Sequence, residues 1–310
     1  MNEAIGKCLV IHGDSREKIR SFAGQVDLIV TSPPYADARR KHYDSIHPDQ
    51  FADWFLSFHD SFYNALKPTG SFVLNIKDKV VDGVRHRFVW QTIDALCKRG
   101  WYSIDDYIWH KTNPMPGAWP TRLRDGWEYC FHLAKSRHPF FNADAVRKPI
   151  GDWVNSRLAR LGNGDLSRHN SENQSGFGRN ISYWVGKQTV LPSNVLSIPL
   201  VGKNKGHPAV FPVDLPLFFI KLLTPPGGLV VDPFAGSGTT GIAALAAKRR
   251  CVLIDNNLEY CRLALKRLRD EGEASDEEIL LPYPEETEVS ESVLEGLGVY
   301  RIRRGSATSG

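Results

Sequence analysis

Runs of apolar, β-branched residues alternate along this chain with stretches of amphipathic spacing, and that alternation restricts the fold more than any other feature. Residues 7–12 (KCLVIH), 26–31 (VDLIVT), 71–76 (SFVLNI), 102–110, 127–134, 228–232 (GLVVD) and 251–255 (CVLID) read as strands. Residues 48–66 read as a helix, with Pro48 at its start and Phe51, Phe55, Phe58, Phe62 and Leu66 spaced for one face. Lys67-Pro68-Thr69-Gly70 stops it, and residues 86–99, 239–249 and 257–269 read as further helices. Strands and helices alternating at this spacing predict a mainly parallel sheet with crossover helices. Strands this apolar suit a sheet covered on both faces.

A chain of 310 residues that is 42% hydrophobic can bury one large core, or one core and a smaller lobe. It holds no uncharged apolar run of membrane-spanning length, and its N-terminus lacks a basic segment followed by a long apolar stretch. A protein without membrane or secretory signals is therefore expected. The five cysteines form no Cys-x-x-Cys pair and read as small buried hydrophobes in a reducing compartment, with no metal site. None follows a proline, the context in which the nucleophilic cysteine of cytosine C5 methylation commonly stands.

The net charge of +4 hides an asymmetry: residues 270–298 hold eleven Asp or Glu and no Lys or Arg, and removing those acids leaves +15 on the rest. Such a surplus favours a polyanionic partner. Two regions break the strand–helix rhythm. Residues 139–206 are polar and carry Arg157, Arg160, Arg168, Arg179 and Lys187, and a connection of this length is read as functional. Residues 270–310 form an acidic tail ending in RIRRGSATSG, read as partly disordered.

Two constellations carry chemistry. In VVDPFAGSGTTG, residues 230–241, a strand ends at Asp232, a glycine turn follows, and a helix begins. Gly236 and Gly238 permit positive φ and close backbone approach, while a helix N-terminus offers free N–H groups. Gly236-x-Gly238-x-x-Gly241 matches the dinucleotide fingerprint, and Asp255 ends the next strand, where a carboxylate can hold two ribose hydroxyls. The second constellation, Thr31-Ser32-Pro33-Pro34-Tyr35, stands at the carboxyl end of a strand. The prolines fix φ and force the backbone outward. A rigid turn of this kind presents a hydroxyl, a carbonyl and an aromatic ring together, the equipment for holding a planar amine.

T-S-P-P-Y ahead of D-P-F-x-G-S-G-T-T resembles the amino-group DNA methyltransferases, in the order of their circularly permuted β group. The likeness covers roughly residues 7–135 and 203–268. It implies an α/β fold: a doubly wound, mainly parallel, seven-stranded methyltransferase sheet, Rossmann-like and circularly permuted, with an inserted target-recognition region. The parts would be residues 1–138 (catalytic, with the T-S-P-P-Y element), 139–206 (target recognition), 207–269 (cofactor binding) and 270–310 (tail). The cofactor implied is S-adenosyl-L-methionine. Asp14 matches the acid near its adenine, Asp255 the acid on its ribose, and Asp232 and Phe234 the positions flanking it. His207, Pro208 and Phe211 resemble the segment that closes over it, and Glu128-Tyr129 resembles a strand near the target-base pocket. Thr31, Gly236, Ser237, Gly238, Thr239, Thr240 and Asn256 complete the cofactor set.

Methylation of an exocyclic amine needs no covalent enzyme intermediate. The amine donates its lone pair into the ring, and hydrogen bonds from its N–H groups to Ser32 and the Pro33 carbonyl would localise that pair, with Pro34 and Tyr35 shaping the turn and stacking on the base. The base must leave the duplex to arrive there. Arg39, Arg40 and Lys41, with Arg157, Arg160, Arg168 and Arg179, are the candidate phosphate contacts. In this family S-P-P-Y accompanies N4-cytosine more often than N6-adenine, so cytosine is the first reading and adenine the second. The expected partner is double-stranded DNA in the cytoplasm of a prokaryote, at the nucleoid, or in a eukaryotic nucleus. A homodimer and a cognate restriction endonuclease stay open. The rival readings are a nicotinamide-dependent oxidoreductase and an inactive DNA-binding protein.

Overall fold

A computed structural model of the protein describes residues 7–36, 46–117, 119–151, 187–201 and 211–271, with the backbone of 279–280. Its first half contains β1 (Cys8–His12), α1 (Ser15–Lys18), β2 (Val26–Thr31), α2 (Pro48–Leu56), α3 (His59–Ala65), β3 (Leu66–Ile76), the hairpin β4 (Val80–Val81) and β5 (Val84–Arg85), and α4 (Phe88–Lys98). There follow β6 (Tyr102–His110), β7 (Trp127–Ala134), β8 (Lys148–Pro149), β9 (Thr189–Val190), β10 (Val195–Ser197), α5 (Asp214–Leu223), β11 (Leu229–Asp232), α6 (Thr239–Ala246), β12 (Arg250–Asp255), α7 (Leu258–Asp270) and β13 (Ile279–Leu280).

One sheet of nine strands, in the order β10-β6-β7-β3-β2-β11-β12-β1-β13, organises the larger unit. β7 runs antiparallel to β3 and β6, and every other pairing is parallel. The seven longer strands make the sheet read from the sequence; β10 and β13, three and two residues long and so too short to carry a periodic signal, extend its edges. The permutation is visible in the order. The chain starts on β1 at one side, crosses to β2, and returns through β11 and β12 to fill the gap between them. The compact units are Met1–Asn142 with Asn194–Gly310, and Ala143–Ser193, in whose described part β8 pairs with β9.

The stretch 48–66 folds as two helices and a strand entry rather than one helix. The Ser57 hydroxyl donates to the Trp54 carbonyl at 2.7 Å, and the Ser57 and Phe58 amides turn back tightly onto Trp54 and Phe55. The apolar face survives the break, because Phe51, Phe55, Phe58 and Phe62 all reach the core. Each such ring contributes about 1.5–3 kcal/mol by burial. Lys67-Pro68-Thr69-Gly70 is a bulge inside β3: Val26 pairs with Leu66, but Leu28 pairs with Ser71. Sequence reasoning assigned no helix to Asp214–Leu223. Its apolar residues surround most of the helix, as burial between α6 and the sheet requires, and so leave no single face to detect.

His132 on β7 is fully buried, with Nε2 paired to Ser71 Oγ at 2.9 Å, and burial pushes its pKa down from 6.5 to about 4. At pH 7 the ring is neutral in both the folded and unfolded states. Below pH 6.5 the unfolded chain takes the proton first, so the folded state loses stability until about pH 4. The stability advantage of wild type over His132→Gln should therefore shrink by about 3 kcal/mol between pH 7 and pH 4, measured by denaturant unfolding. A pH-independent gap would contradict a neutral buried imidazole.

Candidate active site

Parallel pairing sets the site. β2 and β11 are neighbours in register, Leu28 with Val230 and Ile29 with Val231, so both constellations emerge side by side at the carboxyl edge of the sheet. They are joined directly: Thr31 Oγ1 donates to Asp232 Oδ1 at 2.5 Å, both residues being fully buried. Asp232 also accepts from Thr240 Oγ1 at 2.5 Å and from the Phe234 amide at 3.1 Å. Burial pushes its carboxyl up to about 6 against those three donors. Asp232 is thus the knot that holds the proline turn, the glycine loop and the start of α6 in one place.

The glycine loop is held from the next strand. Asp255 accepts the Gly236 amide at 2.8 Å on Oδ2 and the Asn257 amide at 2.9 Å on Oδ1, and burial raises its pKa. Each carboxylate oxygen keeps accepting capacity for a further donor. The pairing of His12 with Asp255 brings the ends of β1 and β12 together, and His12 Nε2 lies 3.1 Å from the Asn256 carbonyl. Asp14 follows two residues on. It caps α1 by accepting the Arg16 amide at 2.8 Å, and the Arg16 guanidinium grips the same carboxyl and holds it below the usual carboxylate range. That guanidinium also lies 5.3 Å over the Phe58 ring. Phe234 packs on the same aromatic group, 5.1 Å from Phe58 and 5.9 Å from Trp54.

The loop residues divide into two groups. Ser237, Thr239 and Thr240 are buried, and their side-chain oxygens are engaged inside the protein: the Arg267 guanidinium donates to Ser237 Oγ at 2.7 Å and Thr239 Oγ1 at 3.1 Å. Gly238 and Gly241 answer to packing. A Cβ on Gly238, at φ +82°, would stand 2.8 Å from the Ala264 Cβ, and one on Gly241 would meet Leu253 Cδ1 at 2.8 Å. Gly238→Ala should destabilise the protein by about 1–3 kcal/mol in the absence of any ligand. An unfolding midpoint equal to wild type would show that α7 yields at this contact.

On the other side of Ser32 a buried polar network continues the site. The Tyr35 hydroxyl donates to Glu128 Oε2 at 2.9 Å, and the same carboxyl accepts from Lys111 Nζ at 2.5 Å and Asn75 Nδ2 at 3.2 Å. Burial, then the neighbouring Glu128 charge, push the tyrosine pKa well above its ordinary value, so its hydroxyl stays a donor. Asn75 Oδ1 is buried without a partner. Tyr129 faces away from this network and stacks on Phe131 at 4.9 Å. Sequence reasoning singled out Glu128 but not Lys111, Asn75 or Arg16. The available signal was a lone acid inside an otherwise apolar strand, which demands a buried partner.

Ser32 and Pro34 are half-buried in the turn, Pro33 is buried, and Phe211 is half-buried ahead of α5. Arg39, Arg40, Lys41, Arg157, Arg160, Arg168, Arg179, His207 and Pro208 lie outside the described residues. All five cysteines are free and four are buried; burial raises the thiols of Cys97, Cys130, Cys251 and Cys261, which suits packing rather than nucleophilic attack.

A permuted doubly wound sheet whose proline turn and glycine loop meet through one buried carboxylate defines an amino-methyltransferase of DNA. The chain belongs to the N6_N4_Mtase family of DNA methylases, whose model matches residues 26–266. It is 30% identical over 291 residues to the type II methyltransferase M.PvuII of Proteus hauseri, covering 86% of this chain and 85% of that protein. It is 26% identical over 281 residues to the DNA adenine methyltransferase YhdJ of Escherichia coli K12, covering 87% and 85%. The solved PvuII DNA methyltransferase (cytosine-N4-specific) superposes with a TM-score of 0.65 over 95% of this chain and 93% of that one, at 24% identity. The methyl donor of the family is S-adenosylmethionine.

Proposed function

We propose that the protein transfers a methyl group from S-adenosylmethionine to the exocyclic N4 of a cytosine flipped out of double-stranded DNA. The observation that carries the reading is the Thr31–Asp232 hydrogen bond, because it seats an amine-binding turn against a cofactor-type glycine loop. The donor set suits the cofactor: Asp14 and Asp255 present acceptors at adjacent strand ends for adenine and ribose donors, and the Gly236 loop closes between them. When bound, S-adenosylmethionine supplies a methyl already activated by its sulfonium. The chain's own part is to hold the amine. Ser32 Oγ and the Pro33 carbonyl accept its two N–H groups, and the fixed φ of Pro33 and Pro34 keeps those acceptors in place. Tyr35, anchored through its hydroxyl by Glu128, supplies a ring face for the base.

Ser32, in place of a carboxylate at that position, and the likeness to M.PvuII, whose solved structure is described as cytosine-N4-specific, favour cytosine. Adenine N6 is the second reading, favoured by the likeness to YhdJ. Nucleoside mass analysis of treated, previously unmethylated DNA should return N4-methylcytosine. N6-methyladenine alone would overturn the base assignment while leaving the chemistry intact. The remaining arginines named from the sequence are proposed phosphate contacts, and a cytoplasmic location at the chromosome fits this substrate. Among the described residues no helix is long and apolar enough to cross a membrane.

A further inference from the structure

β6 runs parallel to β10 and antiparallel to β7, so the end of β6 and the start of β7 both lie at the carboxyl edge of the sheet. Their connection, residues 112–126, of which 112–117 and 119–126 are described, therefore leaves the sheet where Lys111 holds the Glu128 carboxyl that accepts the Tyr35 hydroxyl. The base of this loop is closed. The Lys111 amide donates to the Gly126 carbonyl at 2.7 Å, and the Leu200 amide donates to Asn113 Oδ1 at 2.5 Å. Asp125 fastens it again, with Lys77 at 3.1 Å, Arg85 at 2.9 Å and Arg122 at 3.1 Å. Near the tip, Trp119 bridges to Arg122, whose guanidinium lies 4.2 Å over the indole ring.

On this braced loop Leu123 is 89% exposed, Met115 74% and Trp119 52%. Three large apolar side chains held out to solvent on one short connection, beside an active site, are not the scattered singles of an ordinary surface. Arg122 and the exposed Arg124 adjoin Leu123 in the chain, and at the base of the loop Lys77, Arg85 and Arg122 outnumber the carboxylates of Asp78 and Asp125 that they pair with. Exposed apolar side chains on a loop with a net surplus of cations complement duplex DNA, which is anionic outside and stacked within. Extruding a base costs a few kcal/mol and leaves a gap that an apolar side chain can fill.

We infer that the 112–126 loop is a wedge: Leu123 and Met115 enter the base stack beside the target nucleotide, and Arg122 and Arg124 meet the flanking phosphates. The inference rests on DNA being the substrate and adds the surface that opens it. Single-turnover methyl transfer to mixed-sequence, unmethylated duplex DNA tests it. The double variant Met115→Ala with Leu123→Ala should be slower by about tenfold or more at saturating DNA. Leu123→Lys should be slowed alike, although it adds a cation; a loop that merely rested on phosphates would bind DNA more tightly and turn over normally. Cofactor affinity and Tm should match wild type for all three variants, including Tyr102→Ser at the opposite edge of the sheet, whose rate should also be unchanged. Wild-type rates for the alanine and lysine variants, or a rate loss that tracks a fall in Tm, would overturn the wedge. A wild-type enzyme inactive on every DNA offered would instead count against DNA as the substrate.

Discussion

Ser32→Ala is expected to slow methyl transfer by about 10²–10³-fold while S-adenosylmethionine affinity stays within about twofold of wild type. The residue sits one position beyond Thr31, whose hydroxyl is fixed to Asp232, and one before the buried Pro33. Its backbone therefore cannot drift, and its hydroxyl is the side-chain acceptor this turn offers to an amine. Removing that acceptor leaves one N–H of the substrate unpartnered at the moment the nitrogen lone pair must be localised. Nothing in the cofactor site changes, since Asp232, Asp255 and the Gly236 amide keep their partners. The loss should appear in the single-turnover rate, with cofactor binding followed separately by calorimetry. A large loss of cofactor affinity, or an unchanged rate, would move the amine-binding role elsewhere.

Lys111→Met should destabilise the protein by about 3–5 kcal/mol, because it strands the Glu128 carboxylate in the interior with only neutral donors. Both side chains are close to fully buried, at 11% and 6% exposure, so solvent cannot replace the missing ammonium. The double variant Lys111→Met with Glu128→Leu removes the stranded charge and should recover most of that stability. It should not recover activity, since the Tyr35 hydroxyl then has no carboxylate to hold its ring against the base. Urea unfolding of the two variants, read beside their methylation rates, separates the effects. Full activity in a stable double variant would show that the network serves packing alone.

How much of this was legible in the sequence follows from what each feature depends on. The long strands announced themselves because burial on both faces makes them continuous apolar runs, and the carboxyl-edge position of Ser32 followed from strand and turn alone. The glycine fingerprint was legible as a turn, but its reasons were not: Gly238 and Gly241 are demanded by Ala264 and Leu253, contacts that local spacing does not encode. The hydroxyls of Ser237 and Thr239, read as part of the cofactor set, also accept from Arg267, some thirty positions away, a contact that local spacing does not encode. Lys111 was invisible because an isolated lysine after a strand is usually solvated, and only the hairpin of β6 with β7 folds it onto Glu128. The break at Ser57 escaped notice because the apolar spacing runs through it unaltered.

The central claim is that the two joined strand ends form one centre for methylating an amine of DNA. Transfer of labelled methyl from S-adenosylmethionine to unmethylated duplex DNA, followed by digestion to nucleosides, tests it most directly. The account predicts label on an exocyclic amino nitrogen of a base, made by wild type and nearly abolished in Ser32→Ala. Label on a ring carbon, or equal label from both proteins, would contradict it.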